Sequence, residues 1–263
     1  MLHRRSLLAL VLLALPVASA SAAEAFPTRS LTMVVPYAAG GPTDMVSRLI
    51  AEAMGNRLGQ QIVVENVAGA GGTLGAQRVA EADPEGYTLL MHHIAQATSP
   101  SLYRRLPYDP ATAFAPIGLV TEAPMTLVAR PAFPPASIAE LLAYMRERKD
   151  GITYANAGLG GASHICGMLL MSSLDVKLTT VPYKGTGPAM TDLLGGQVDL
   201  MCDQTTNTVG QLKGGRIKGY AVTTRERVPS LPDLPTLDEA GLKGFEVTIW
   251  HGLYQRVDEL GRS

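Results

Sequence analysis

Along this chain, short runs of β-branched and apolar residues alternate with stretches of helical periodicity, and few folds satisfy that alternation. Residues 31–35, Leu-Thr-Met-Val-Val, read as a strand. Residues 42–58 follow with Val46, Leu49, Ile50, Ala53 and Met54 on one face, the spacing of an amphipathic helix. A strand over 62–65, a helix over 73–82 and a strand over 87–91 continue the series. It restarts with a strand at 126–129 and a helix at 138–148. Strands at 152–154, 177–181, 198–201 and 217–222 then alternate with helices at 163–173, 188–194 and 206–212, before a last strand at 246–254. This pattern predicts an α/β protein whose parallel sheet carries helices on its faces.

The series breaks around 117–124 and again in the proline-rich stretch 229–235. Crossings at those places divide the chain into one lobe of residues 26–122 plus 236–263 and a second of residues 123–235. A chain that leaves a lobe and returns makes a two-stranded hinge on which the lobes can close. Ahead of the first lobe, Met1-Leu2-His3-Arg4-Arg5 is basic, Leu7 to Leu15 is apolar, and Val17 to Ala23 is made of small residues. That order marks residues 1–25 as a signal peptide and places the mature chain in the periplasm. The apolar run is shorter than the about 20 residues that a membrane-spanning helix needs.

Charged residues make up 17% of the chain and the net charge is −1. No basic stripe suits nucleic acid and no polybasic block suits a membrane surface, and a monomer is expected. Cys166 and Cys202 enter an oxidising compartment, where a disulfide is open to them, but both are read first as small buried residues.

The chemistry concentrates in turns. In Val34-Val35-Pro36-Tyr37-Ala38-Ala39-Gly40-Gly41-Pro42-Thr43-Asp44, a strand ends, glycines turn the chain and a helix starts on proline. A helix N-terminus carries unsatisfied N–H groups and the positive end of the dipole, which suits an anion. One such turn serves as an ordinary βα connection equally well. The second lobe repeats the device in Tyr154-Ala155-Asn156-Ala157-Gly158-Leu159-Gly160-Gly161-Ala162-Ser163-His164. Two termini facing each other could grip a carboxylate from both sides. Weaker versions follow at Pro182-Tyr183-Lys184-Gly185-Thr186-Gly187-Pro188 and at Asp203-Gln204-Thr205-Thr206. Asp44 falls in a first helical turn, where a capping role is favoured.

Enzyme signatures are missing from the chain. It lacks Gly-x-Ser-x-Gly and a Gly-Lys-Ser/Thr phosphate loop, and Gly69-Ala70-Gly71-Gly72-Thr73-Leu74 has leucine where a dinucleotide fingerprint needs glycine. No Cys/His set has zinc spacing. His92-His93 follow a strand end, and adjacent residues in extended chain point to opposite faces, a poor chelate, so at least one is placed on a surface or a cleft wall. Catalytic residues, metals and cofactors are not expected.

Several segments in order resemble the tripartite tricarboxylate transporter solute-binding proteins, also called the Bug family. They are Val35-Pro36-Tyr37-x-x-Gly40-Gly41-x-Thr43-Asp44, Val64-Glu65-Asn66-x-x-Gly69-Ala70-Gly71-Gly72, and Asp83-Pro84-x-Gly86-Tyr87-Thr88-Leu89-Leu90. Val181-Pro182-Tyr183-Lys184-Gly185, Asp192 to Asp199, Leu231 to Thr236 and Trp250-x-Gly252-Leu253 extend the match over nearly the whole mature chain. The resemblance implies a two-lobed periplasmic binding protein fold of type II kind. It implies a small carboxylate ligand (a di- or tricarboxylate, an acidic amino acid or an aromatic acid) held by backbone N–H groups and water, and a two-subunit inner-membrane permease as partner. It carries the family's first ligand loop onto Tyr37, Ala39, Gly40, Gly41, Thr43 and Asp44, and the second onto Gly158, Gly161, Ala162, Ser163 and His164, with Tyr183 and Asp203 as wall residues. After Tyr254 the residues leave the family pattern, in which members continue into helices that complete the first lobe. An incomplete first lobe with exposed apolar sheet surface is the expectation here. A sensor partner that presents ligand to a membrane kinase would use the same cleft, and an enzyme on this fold is the weaker alternative.

Overall fold

The computed structural model describes residues 26–148 and 151–257, so the expected signal peptide, residues 1–25, lies outside the described residues. One mixed sheet organises the chain, in the order β2-β1-β3-β9-β4-β7-β5-β6, with β8 also paired to β4. β1 (Leu31–Val35) lies parallel between β2 (Ile62–Asn66) and β3 (Thr88–His93). In the other half, β5 (Thr153–Asn156) lies parallel between β6 (Thr179–Pro182) and β7 (Leu200–Gln204). These are the parallel blocks that the strand–helix alternation predicts.

The connection between the blocks departs from that prediction. β4 (Phe114–Ala129) and β9 (Thr248–Arg256) run antiparallel to one another, β9 runs antiparallel to β3, and β4 runs antiparallel to β7 and β8 (Lys218–Val222). β4 serves both halves: Phe114 to Pro124 pairs with β9, and Met125 to Ala129 pairs with β7. The crossing expected near 117–124 is thus a continuous strand, with register shifts at Pro116/Gly118 and Leu119/Thr121. Ile117 and Leu119 on this stretch are exposed, as is Leu49 on the first helix.

Leu237, Leu242, Phe245, Val247 and Ile249 share a core with Leu127, Tyr154 and Leu200. β9 pairs with β3 on one side and β4 on the other, so β4 and β9 join the two parallel blocks as an antiparallel pair.

Helices flank both halves. α1 (Pro42–Leu58) starts with proline in its first turn and ends at Gly59, whose φ of 69° makes a left-handed cap that glycine adopts without strain. α2 (Thr73–Ala80) and α3 (Ala95–Leu102) complete the first half, with Val34, Ala76, Val79 and Leu90 buried between sheet and helices. α4 (Ile138–Arg148), α5 (Ala162–Leu174), α6 (Thr186–Leu194) and α7 (Thr205–Lys213) belong to the second.

Cys166 and Cys202 form a disulfide between α5 and β7, with Cα atoms 6.2 Å apart, which corrects their reading as unlinked buried residues. Both are buried, as expected, but their separation of 36 residues carries no sign of their meeting in space. A crosslink over that loop restricts the unfolded chain by about 3–4 kcal/mol. Replacing both cysteines with alanine should lower the unfolding free energy by about that amount in urea titrations, and adding reductant should do the same to the unaltered protein. Identical midpoints in all three cases would show that the crosslink does not stabilise this fold.

Candidate ligand-binding site

A narrow cavity lies between the halves, about 20 Å³ in volume and room for roughly one water molecule. Four helices start on its wall. Pro42 and Thr43 open α1, Ala162 and Ser163 open α5, Thr186 opens α6, and Gln204 is the N-cap of α7. None of the four termini has a side-chain cap, so their first-turn N–H groups lack the usual partner. Each strand–turn–helix unit delivers its helix start to the C-terminal edge of the sheet, where open α/β sheets bind ligands.

The lining contains no lysine or arginine but two carboxylates. Asp44 is neutralised from outside the cavity: its oxygens accept from Arg48 at 3.0 and 3.1 Å, from Asn66 Nδ2 at 3.0 Å and from the Gly40 N–H at 3.0 Å. Burial raises the Asp44 pKa, but these hydrogen bonds outweigh it and hold the group below the ordinary carboxylate value. Asp203 has no cation beside it. Burial pushes its carboxyl up to about 6, against hydrogen bonds from Asn207, the Gln204 N–H and Thr186. A wider groove of about 800 Å³ between α1 and β2 is an open surface that none of the four helix starts lines.

Three buried histidines back the cavity. His93 stacks on Tyr37 with ring centroids 4.6 Å apart, and His251 meets the His93 ring edge-on at 5.8 Å. Nδ1 of His93 accepts the Ala95 N–H at 3.2 Å, which leaves the ring proton on Nε2. His251 Nε2 lies 3.2 Å from the Thr43 hydroxyl. Burial lowers all three pKa values, that of His92 to about 3 and that of His251 to about 4, and the neighbouring rings add to the effect on His92 and His93.

Seven of the residues singled out in the sequence line this cavity: Tyr37, Gly41, Thr43, Asp44, Ala162, Ser163 and Asp203. The Ser163 hydroxyl accepts the Ala157 N–H at 2.8 Å and keeps its own proton to donate. The others stand behind or beside it. Gly40 gives its N–H to Asp44, and the Gly161 N–H bonds to Gly158 O within the loop. Ala39 O faces Gly187 across the gap between the halves, and Gly158 packs on Gly71. His164 Nδ1 accepts from the Gly160 N–H at 3.3 Å. The Tyr183 hydroxyl donates to Asp192 at 2.6 Å, away from the lining.

His93, Thr186 and Gln204 also line the cavity although the motifs did not single them out as ligand groups. Thr186 and Gln204 belong to the two weaker turns, and the antiparallel pairing of β7 with β4 sets Gln204 beside Met125. Hydrogen bonds to backbone carbonyls join the halves around the site. The Ala38 N–H donates to Lys184 O at 2.9 Å, Thr98 Oγ1 donates to Gly160 O at 3.1 Å, and the Tyr103 hydroxyl lies 3.0 Å from Leu159 O.

Two α/β halves joined through paired strands, with a cavity between them walled by helix N-termini, define a two-lobed solute-binding protein of the periplasmic type. The family profile described as "Tripartite tricarboxylate transporter family receptor" matches residues 46–257, and the chain belongs to that family of periplasmic binding proteins. A UPF0065 protein from the ttuE–ttuC' intergenic region of Agrobacterium vitis is 51% identical over 239 residues, 91% of this chain and 69% of that relative. The solved periplasmic binding protein BugD is 57% identical with a TM-score of 0.86, over 88% of this chain and 77% of that one. MatC from Rhodopseudomonas palustris with bound malate is 46% identical with a TM-score of 0.85, covering 88% of this chain and 79% of its own. Among the described residues, no helix is long and apolar enough to cross a membrane, and no group of three or more His, Cys, Asp or Glu side chains could hold a metal ion.

Proposed function

We propose that this protein captures a small carboxylate in the periplasm and delivers it, unchanged, to a two-subunit inner-membrane permease. The observation that carries the reading is the convergence of four helix N-termini without side-chain caps on one cavity that has no lysine or arginine. Such termini bind anions through backbone N–H groups and dipoles. The malate held by MatC is consistent with that chemistry. A cavity with room for roughly one water cannot admit such an acid, so the halves must part for entry and close over a ligand. β4 and β9, the two linkers, are where that motion would be absorbed. The two lobes, and the residues assigned to the site, are part of this proposal.

Isothermal titration of the exported protein tests it, using malate, succinate, aspartate, citrate and benzoate, with glucose as the neutral control. At least one acid is expected to bind in the micromolar range or tighter and to be recovered intact. Binding of glucose with none of the acids would sink the anion reading, and conversion of an acid would replace the binder with an enzyme.

A further inference from the structure

The cavity has two chemically different ends. Toward α1 and α5 it offers donors, namely helix-start N–H groups, the Ser163 hydroxyl and the Nε2–H of His93, while the Asp44 carboxylate there is already taken up by Arg48, Asn66 and the Gly40 N–H. At the end of β7, where α7 starts, two side-chain acceptors stand beside the helix N–H groups. Gln204 is 3% exposed, lines the cavity, and its Oε1 has no hydrogen-bond partner among the described residues. Asp203, 1% exposed beside it, accepts from the Gln204 N–H at 2.9 Å, from Asn207 Nδ2 at 2.5 Å and from Thr186. An ionised carboxylate has about four acceptor sites, so three donors leave one free. No lysine or arginine in the lining faces this end.

We propose that Asp203 and Gln204 form an acceptor pole that selects acids carrying a hydroxyl or ammonium group beside the carboxylate over the unsubstituted acid. The inference rests on the carboxylate reading above. A ligand carboxylate cannot sit against two acceptors, so it turns toward α1 and α5. That orientation leaves the substituent facing Gln204 Oε1 and Asp203. An acid without a donor there leaves a buried acceptor unpaired, the situation in which a site rejects an analogue most strongly.

Titrations of L-malate, L-aspartate and succinate against the unaltered protein, Q204L and D203N test the proposal, with circular dichroism to show that each variant folds. The unaltered protein should bind malate or aspartate at least about tenfold more tightly than succinate. Q204L should bring the preferred acid down to the level of succinate while succinate itself changes by less than roughly threefold. D203N separates the two donors: an ammonium ligand loses about tenfold or more, a hydroxyl ligand much less. Succinate binding as tightly as both substituted acids overturns the proposal, as does an equal loss for all three acids in Q204L. If Q204L does not fold, the three-acid comparison on the unaltered protein decides. If no acid binds, the carboxylate reading itself falls and takes this inference with it.

Discussion

Replacing Gly71 with alanine is expected to leave the protein folded but to weaken acid binding by about 100-fold or more. Gly71 lies in the first half, in the short 3-10 turn before α2, with φ at +61°. A Cβ there would stand 1.9 Å from the Leu159 carbonyl oxygen of the second half and 2.7 Å from the Tyr103 hydroxyl. The first of these is backbone in the opposing loop and has no rotamer to yield. The clash exists only while the halves are together, so the substitution acts on the closed state. An acid that must close the protein then binds only the small fraction that still closes, and the apparent affinity falls in proportion. The left-handed φ costs alanine about 1–2 kcal/mol in any state, and that must be separated from the closure effect. Gly215, outside the ligand loops, supplies the control: its φ is +65°, and a Cβ there meets nothing within 4 Å. G215A should therefore match G71A in unfolding free energy while keeping its affinity. Titration calorimetry with the tightest-binding acid, together with small-angle scattering for the closed shape, checks both. Unchanged affinity in G71A would show that the halves do not approach each other this way when ligand is bound.

The chain announces much of this architecture, but unevenly. The 42–58 helix was readable to its ends because proline and glycine mark them, and 138–148 because Leu141, Leu142 and Met145 form a single buried face. β4 was legible only over 126–129. Its first half alternates weakly, holds Pro116 and Gly118, and keeps Ile117 and Leu119 exposed, so neither periodicity nor burial marks it as a strand. α3 escaped because Pro100 lies inside it and its apolar residues are few. In the site, the two strong glycine turns were visible because their chemistry is local. Gln204 was not, since nothing in Asp-Gln-Thr-Thr says that the glutamine amide ends in a cavity without a partner. That follows from β7 pairing with β4, a contact between residues about 75 positions apart such as Thr126 and Asp203. Tyr183 shows the converse: the motif fits a cleft wall, but Asp192 on α6 captures its hydroxyl.

Acidification should unfold this protein more than any single substitution considered above, through His92, His93 and His251. All three are buried and neutral in the folded state, with pKa values below the ordinary histidine value. The unfolded chain takes up protons as pH falls through about 6.5, while the folded chain does not until about 4 for His251 and about 3 for His92. Stability contributed by the neutral rings is therefore complete above about pH 6.5 and drains away below it. From about pH 7.5 to about pH 5 each ring costs about 2 kcal/mol, or about 6 kcal/mol for the three. Asp203 works in the opposite direction. Its folded pKa is raised to about 6, so its ionisation penalises the folded state as pH rises, and acidification over the same range returns about 1 kcal/mol. The balance is a loss of about 5 kcal/mol, or about 10–20 °C in melting temperature for a chain of this size. Urea titrations at the two pH values measure it directly. H251N, which keeps a polar group near Thr43 but cannot take up a proton in this range, should remove about two-fifths of the difference. A stability that stays level across the range would mean that water reaches these rings in the folded protein, and that the wall behind Tyr37 is not dry.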